Sequence, residues 1–275
     1  MRATPTKSRS AYGMAETAND QAANHFPVSL CWSRLRPERM AEINEATDLL
    51  GQLADEDVEA APSAVNVPAE RSGDVARSGL YALFAQLFAF PKLDTVKLLA
   101  SADWSAQLAE LTEQLPYALA AGDSAVVYEE REVSLTFSRL FDVVHGLPAL
   151  SLLERRYGEN KVQKQLWEDL LRYYNHFGLE FSHAAAEGGP DHLVNELEFM
   201  HYLSFLQCGN GDAGGDFRRA QRDFLTQHLG QWSGEFAQRA AELADSQPYK
   251  SLAGLLAAFV EADLNYLESQ LDAFK

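Results

Sequence analysis

Glu187-Gly-Gly-Pro-Asp-His-Leu-Val-Asn-Glu-Leu-Glu-Phe-Met-His-Tyr-Leu203 decides the fold. Two glycines and a proline make a turn. Pro190 suits the start of a helix, and Asp191 suits the orphan amides and positive end of the first turn. Leu193, Leu197, Met200 and Leu203 then recur at three- and four-residue steps, the spacing of one helical face. The same grammar repeats on both sides. Leu80, Leu83, Phe84, Leu87 and Phe88 run helically until Pro91 stops them. Trp104–Ala121 and Val126–Val144 predict two more helices. Val162, Leu166, Leu170, Tyr173 and Phe177 form a stripe ending at Gly178. Phe217–Leu225 leads to Gly230, Trp232–Ala244 follows, and Leu252–Leu271 is the longest run. No β-branched alternation reaches strand length. The expectation is one all-α domain of about eight to nine helices over residues 71–275.

Composition narrows the function. The chain has 275 residues, 47% of them hydrophobic, which is ample for one core. Its net charge of −17 disfavours binding to phosphate backbones and anionic lipid. No apolar run approaches the ~18 residues of a membrane helix. Cys31 and Cys208 suggest neither a disulfide framework nor a paired-cysteine metal site, and no segment is laid out as a secretory signal. The expected compartment is the cytoplasm.

The N-terminal part reads differently. Residues 1–39 carry six basic groups against three acids, whereas residues 40–70 carry eight acids and no base. Neither stretch has a sustained apolar period, so residues 1–70 are expected to be a largely disordered extension with a short helix over Ala41–Leu53. Met40 reads as a protein start, which makes the preceding 39 residues a candidate over-extension of the reading frame.

Enzyme motifs are missing: no glycine-rich phosphate loop, no nucleophile elbow and no His-Glu-x-x-His. Two Glu-x-x-His pairs, Glu180/His183 and Glu198/His201, put a carboxylate and an imidazole on one face if helical, as in ferritin-like di-iron bundles. Against that reading, no earlier helix offers an unambiguous lone buried Glu, and Glu129, Glu130 and Glu132 are clustered in the manner of a solvated face. The Gly-Gly-Pro-Asp turn can be a helix start and nothing more. Phe137, Leu140 and Phe141 can be a core stripe and nothing more.

The order of these pieces resembles the TorD/DmsD/NarJ family of chaperones for molybdenum oxidoreductases. The resemblance rests on Tyr81-Ala-Leu-Phe84 through Phe90-Pro91, and on Phe137-Ser-Arg-Leu-Phe141. It rests also on Pro190-Asp191-His192-Leu193 with Glu196-Leu-Glu-Phe-Met200, and on Phe224-Leu-Thr-Gln-His228-Leu-Gly-Gln-Trp232. Ser151-Leu-Leu-Glu154 through Gly158 looks most like the NarJ-type branch. There are departures: Glu187 stands four residues before Asp191, and Leu147-Pro-Ala-Leu-Ser151 replaces a proline-rich aromatic hinge.

The resemblance implies a non-enzymatic cytoplasmic chaperone without cofactor. It would bind the twin-arginine leader of a molybdopterin catalytic subunit and assist cofactor insertion before export. The implied clients are nitrate reductase-like enzymes, dimethyl sulfide or ethylbenzene dehydrogenase, or chlorate or selenate reductase. Carboxylates would take the guanidiniums and an apolar groove the stretch that follows. The implied peptide site comprises Pro190, Asp191, His192, Glu196 and Tyr81, with Phe137, Leu140 and Phe141 as the apolar wall.

Overall fold

Leu193–Asn210 forms a helix that is buried almost all round. The sequence marked one apolar stripe on it. In the computed structural model every residue from Leu193 to Met200 is buried, including Asn195, Glu196 and Glu198. It is therefore the central rod of the fold, and the other helices are arranged around it.

The structure describes residues 32–35, 69–119, 128–142, 147–158, 162–181, 188–210, 215–243 and 247–272. Within these lie nine α-helices: α1 (Ala69–Phe88), α2 (Leu93–Leu99), α3 (Asp103–Glu113), α4 (Glu130–Phe141), α5 (Gln163–His176), the central α6 (Leu193–Asn210), α7 (Gly215–Gln227), α8 (Leu229–Glu242) and α9 (Tyr249–Asp272). A single 3-10 turn spans Glu154–Arg156. The all-α expectation holds. The most extensive packing is α1 along α6, followed by α8 against α9, with α7 touching α6, α8 and α9. Phe84 and Tyr81 of α1 meet Phe259 of α9, and Phe199 of α6 meets Phe224 of α7 and Tyr174 of α5.

Boundaries follow local chemistry. α3 stops at Glu113, short of the expected Ala121, because Pro116 steers Leu115 out of helical space. α4 begins at Glu130, with Glu130 and Glu132 in its first turn and Arg139 in its last, complementing the helix dipole. α5 ends in a left-handed Gly178 (φ 79°), whose N–H donates to the Asn175 carbonyl at 3.1 Å.

One feature was not anticipated. Trp32–Leu35 (β1), inside the stretch expected to lack order, pairs antiparallel with Leu179–Phe181 (β2), Trp32 opposite Phe181 and Leu35 opposite Leu179. Strands of four and three residues are too short to leave a readable alternation. The expected helix over 41–53, Met40 and Cys31 lie outside the described residues.

Candidate functional site

Pro190, Asp191 and His192 form a corner that is locked into the molecule. The Leu152–Glu154 segment runs antiparallel past it: Leu193 N–H donates to the Leu152 carbonyl and Glu154 N–H to the Asp191 carbonyl, both at 2.8 Å. Tyr174 of α5 donates its hydroxyl to the Pro190 carbonyl at 2.9 Å, and Asn195 donates to the Gly189 carbonyl at 2.8 Å. The Asp191 side chain is wholly buried. Its Oδ1 accepts from Arg155 NH1 at 2.6 Å and from the Trp167 indole at 2.7 Å. Gly189 is required at this point, since a Cβ there would stand 2.4 Å from the Trp167 ring and 2.8 Å from Asp191 Oδ1.

The remaining polar groups of the corner are similarly engaged. Glu196 Oε2 accepts from the Trp232 indole at 3.1 Å, and His228 Nδ1 donates to buried Glu154 Oε2 at 3.2 Å. Tyr157 stacks on Trp232 and donates its hydroxyl to the Ser151 carbonyl. His192 accepts from Val194 N–H at its Nδ1, and burial, with Arg155 adding to it, lowers its pKa to about 4, so the ring is neutral at pH 7. The segments around Ser151–Glu154, Pro190–His192 and His228–Trp232 thus meet at one joint. Their spacing along the chain gave no sign of it.

This corrects one expectation in physical terms. Asp191 and Glu196 were expected to face an incoming guanidinium, yet both are fully buried on internal donors. Tyr81 is likewise interior, donating to Asp263 Oδ2 at 2.7 Å. Phe137 and Leu140 are core residues. Phe137 packs on Phe90, Phe141 and Tyr249. Only Phe141 of that trio is part-exposed.

What the corner does adjoin is a crevice of about 440 Å³. His192 and Gly188 reach it from one side, Phe141, Leu147, Pro148 and Leu153 supply apolar walls, and Arg155 and Arg156 supply charge. Leu147 is 58% exposed and Phe90, next to Phe137, is 55% exposed. Phe90, Leu93, Leu135 and Leu147 are four of the five large apolar side chains left exposed among the described residues, and they flank or lie on α2 and α4, which pack together.

The di-iron arrangement is not built among the described residues. Glu180 sits on strand β2 and His183 lies outside the described residues, so the first pair lacks helical spacing. His201 Nδ1 is engaged by Ser78 of α1 at 2.9 Å, and burial lowers its pKa. Among the described residues no group of three or more His, Cys, Asp or Glu could hold a metal. Glu187 also lies outside the described residues.

Residues 98–238 match the family model described as nitrate reductase delta subunit. The chain belongs to that family. It is 32% identical over 193 residues to a selenate reductase assembly chaperone protein of Thauera selenatis, covering 69% of this chain and 89% of the relative. It is 30% identical over 193 residues to a chlorate reductase assembly chaperone protein of Ideonella dechloratans, with the same coverage. A dimethyl sulfide dehydrogenase assembly chaperone protein of Rhodovulum sulfidophilum is 37% identical over 98 residues, 31% of this chain and 38% of that one. No solved structure matches. The matched stretch contains α3 to α7, the 3-10 turn, the corner and most of α8, and the chain is a redox-enzyme maturation chaperone of the TorD/NarJ type, not a catalyst. No helix among the described residues is long and apolar enough to cross a membrane.

Proposed function

We propose that this protein is a cytoplasmic assembly chaperone for the catalytic subunit of a molybdenum oxidoreductase of the selenate or chlorate reductase kind. It binds that subunit's N-terminal twin-arginine leader and keeps the subunit open to cofactor insertion before export. The observation that carries the reading is the apolar crevice at Phe141, Leu147 and His192, with Leu147 exposed in its lining and Phe90 exposed against Phe137 on the same helix as Phe141. An apolar leader stretch has a surface to lie on there. The guanidiniums have the exposed Glu129, Glu130 and Glu132 at the start of α4, in place of the buried Asp191 and Glu196. The joint behind the crevice fixes the wall against which the guest packs.

Calorimetric titration of a synthetic leader into the protein tests this. Binding in the micromolar range or tighter is expected, weakening with salt, and falling at least tenfold in Phe90→Ser with Leu147→Ser while the melting temperature of that variant stays put. No heat at high peptide concentration, or full affinity in the double variant, overturns it.

A further inference from the structure

The crevice has a polarity that the proposed function does not specify. The chain carries a net charge of −17, yet the two charged side chains lining this hollow are both arginines. Arg155 is neutralised, because buried Asp191 holds its guanidinium at 2.6 Å. Arg156 is exposed and makes no ion pair among the described residues. Its main-chain carbonyl accepts from Arg239, whose own guanidinium is paired with Glu235 at 2.5 Å. His192 is neutral at this wall. The crevice is thus an apolar slot with one uncompensated guanidinium at its mouth.

We infer that the slot takes an apolar stretch of the client segment with a carboxylate beside it, and that this carboxylate pairs with Arg156. The inference rests on the proposed function and adds a direction to it. An arginine pair is repelled from this end. The acids that could receive it, Glu129, Glu130 and Glu132, stand at the other end of α4, whose 12 residues span roughly 18 Å. A segment lying along α4 therefore runs from cationic to apolar to anionic, with about five extended residues between the charges. A phosphate chain suits the slot poorly. One free guanidinium is available, and the first amides of α6 are already given to Leu152 and His192.

Charge exchange tests this. Three peptides are titrated into the wild-type protein: arginine pair, apolar stretch and Glu; the same with Gln for Glu; the same with Lys for Glu. They are then titrated into Arg156→Glu. The Glu peptide is expected to bind wild type at least fivefold more tightly than the Gln peptide, to lose that margin in Arg156→Glu, and to be overtaken there by the Lys peptide. Equal binding of all three peptides to wild type overturns the direction while leaving the leader-binding reading in place. Absence of binding by any of them overturns both. Because Arg156 is exposed, the variant's melting temperature serves as the folding control.

Discussion

Replacing Asp191 by alanine strips the Arg155 guanidinium and the Trp167 indole N–H of their acceptor and opens a gap beneath Gly189. Breaking a buried pair from one side costs about 3 kcal/mol, and Asp191→Asn, which keeps an acceptor oxygen, costs less. Equilibrium urea unfolding should show both losses. Asp191→Ala also frees the Arg155 guanidinium at the crevice, so a peptide that ends in a carboxylate should gain affinity over its neutral counterpart in that variant. His192 adds a pH dependence at the same corner. Its folded pKa is about 4 against ~6.5 unfolded, so the neutral ring contributes fully above pH 6.5. Below that the unfolded chain takes up the proton first, and stability falls as pH drops from 6.5 towards 4. The expected loss attributable to His192 is about 2 to 3 kcal/mol by pH 4.5. His192→Asn should flatten the urea midpoint over this window, and an unaltered slope would show that the ring is not held neutral.

At the scale of elements, the bundle is tied by a network that no local pattern announces. Asp263 of α9 accepts from Arg77 Nε at 2.5 Å and NH2 at 2.9 Å, from Tyr81 at 2.7 Å and from Tyr117 at 2.6 Å. Arg77 also donates to Asp74 within α1 and to Gln221 on α7, and Gln221 in turn donates to Gln207 of α6 at 2.7 Å. Three helices therefore meet on one buried charge pair, and Gln207 ties α6 to it through Gln221. Asp263→Ala leaves a guanidinium buried without its carboxylate and should lower unfolding free energy by about 3 to 5 kcal/mol. Pairing Asp263→Leu with Arg77→Met should recover part of that, because neither charge is then stranded. A double variant no better than the single one would mean that the network is held by the tyrosines instead of the ion pair.

The helices themselves were legible because apolar spacing near 3.6 survives in an amphipathic element. The network was not, since Arg77 and Asp263 lie 186 residues apart and each reads as the solvent side of its own helix. The same blindness hid the burial of Glu196 and Glu198. Periodicity counts a carboxylate as exposed, and only tertiary packing reveals Trp232 arriving to cover it. The site was legible in part for the same reason. The corner and the Phe137–Phe141 helix were found, but which of their side chains open onto a crevice depends on what packs behind them.

At the scale of the whole molecule, charge sets how a client arrives more than how long it stays. Residues 71–275 hold 17 bases and 29 acids, so an approaching cationic leader feels an attractive field before it makes any contact. That field has a range of about 10 Å at 0.1 M salt and shrinks to ~3 Å at 1 M. On the proposed reading, the apolar contacts at Phe90 and Leu147 are not screened, and they would govern departure. Stopped-flow mixing with a fluorescent leader should therefore show the association rate falling roughly tenfold or more between low and high salt, with the dissociation rate changing only a few fold. If the dissociation rate instead carries the salt dependence, the pairs that Glu129, Glu130 and Glu132 make with the guanidiniums govern departure as well as arrival. Substitution of Glu129, Glu130 and Glu132 should then raise the dissociation rate by the same factor that salt does. If those substitutions slow association alone, the diffuse field is the cause, and the apolar surface around α2 and α4 holds the client once it has docked.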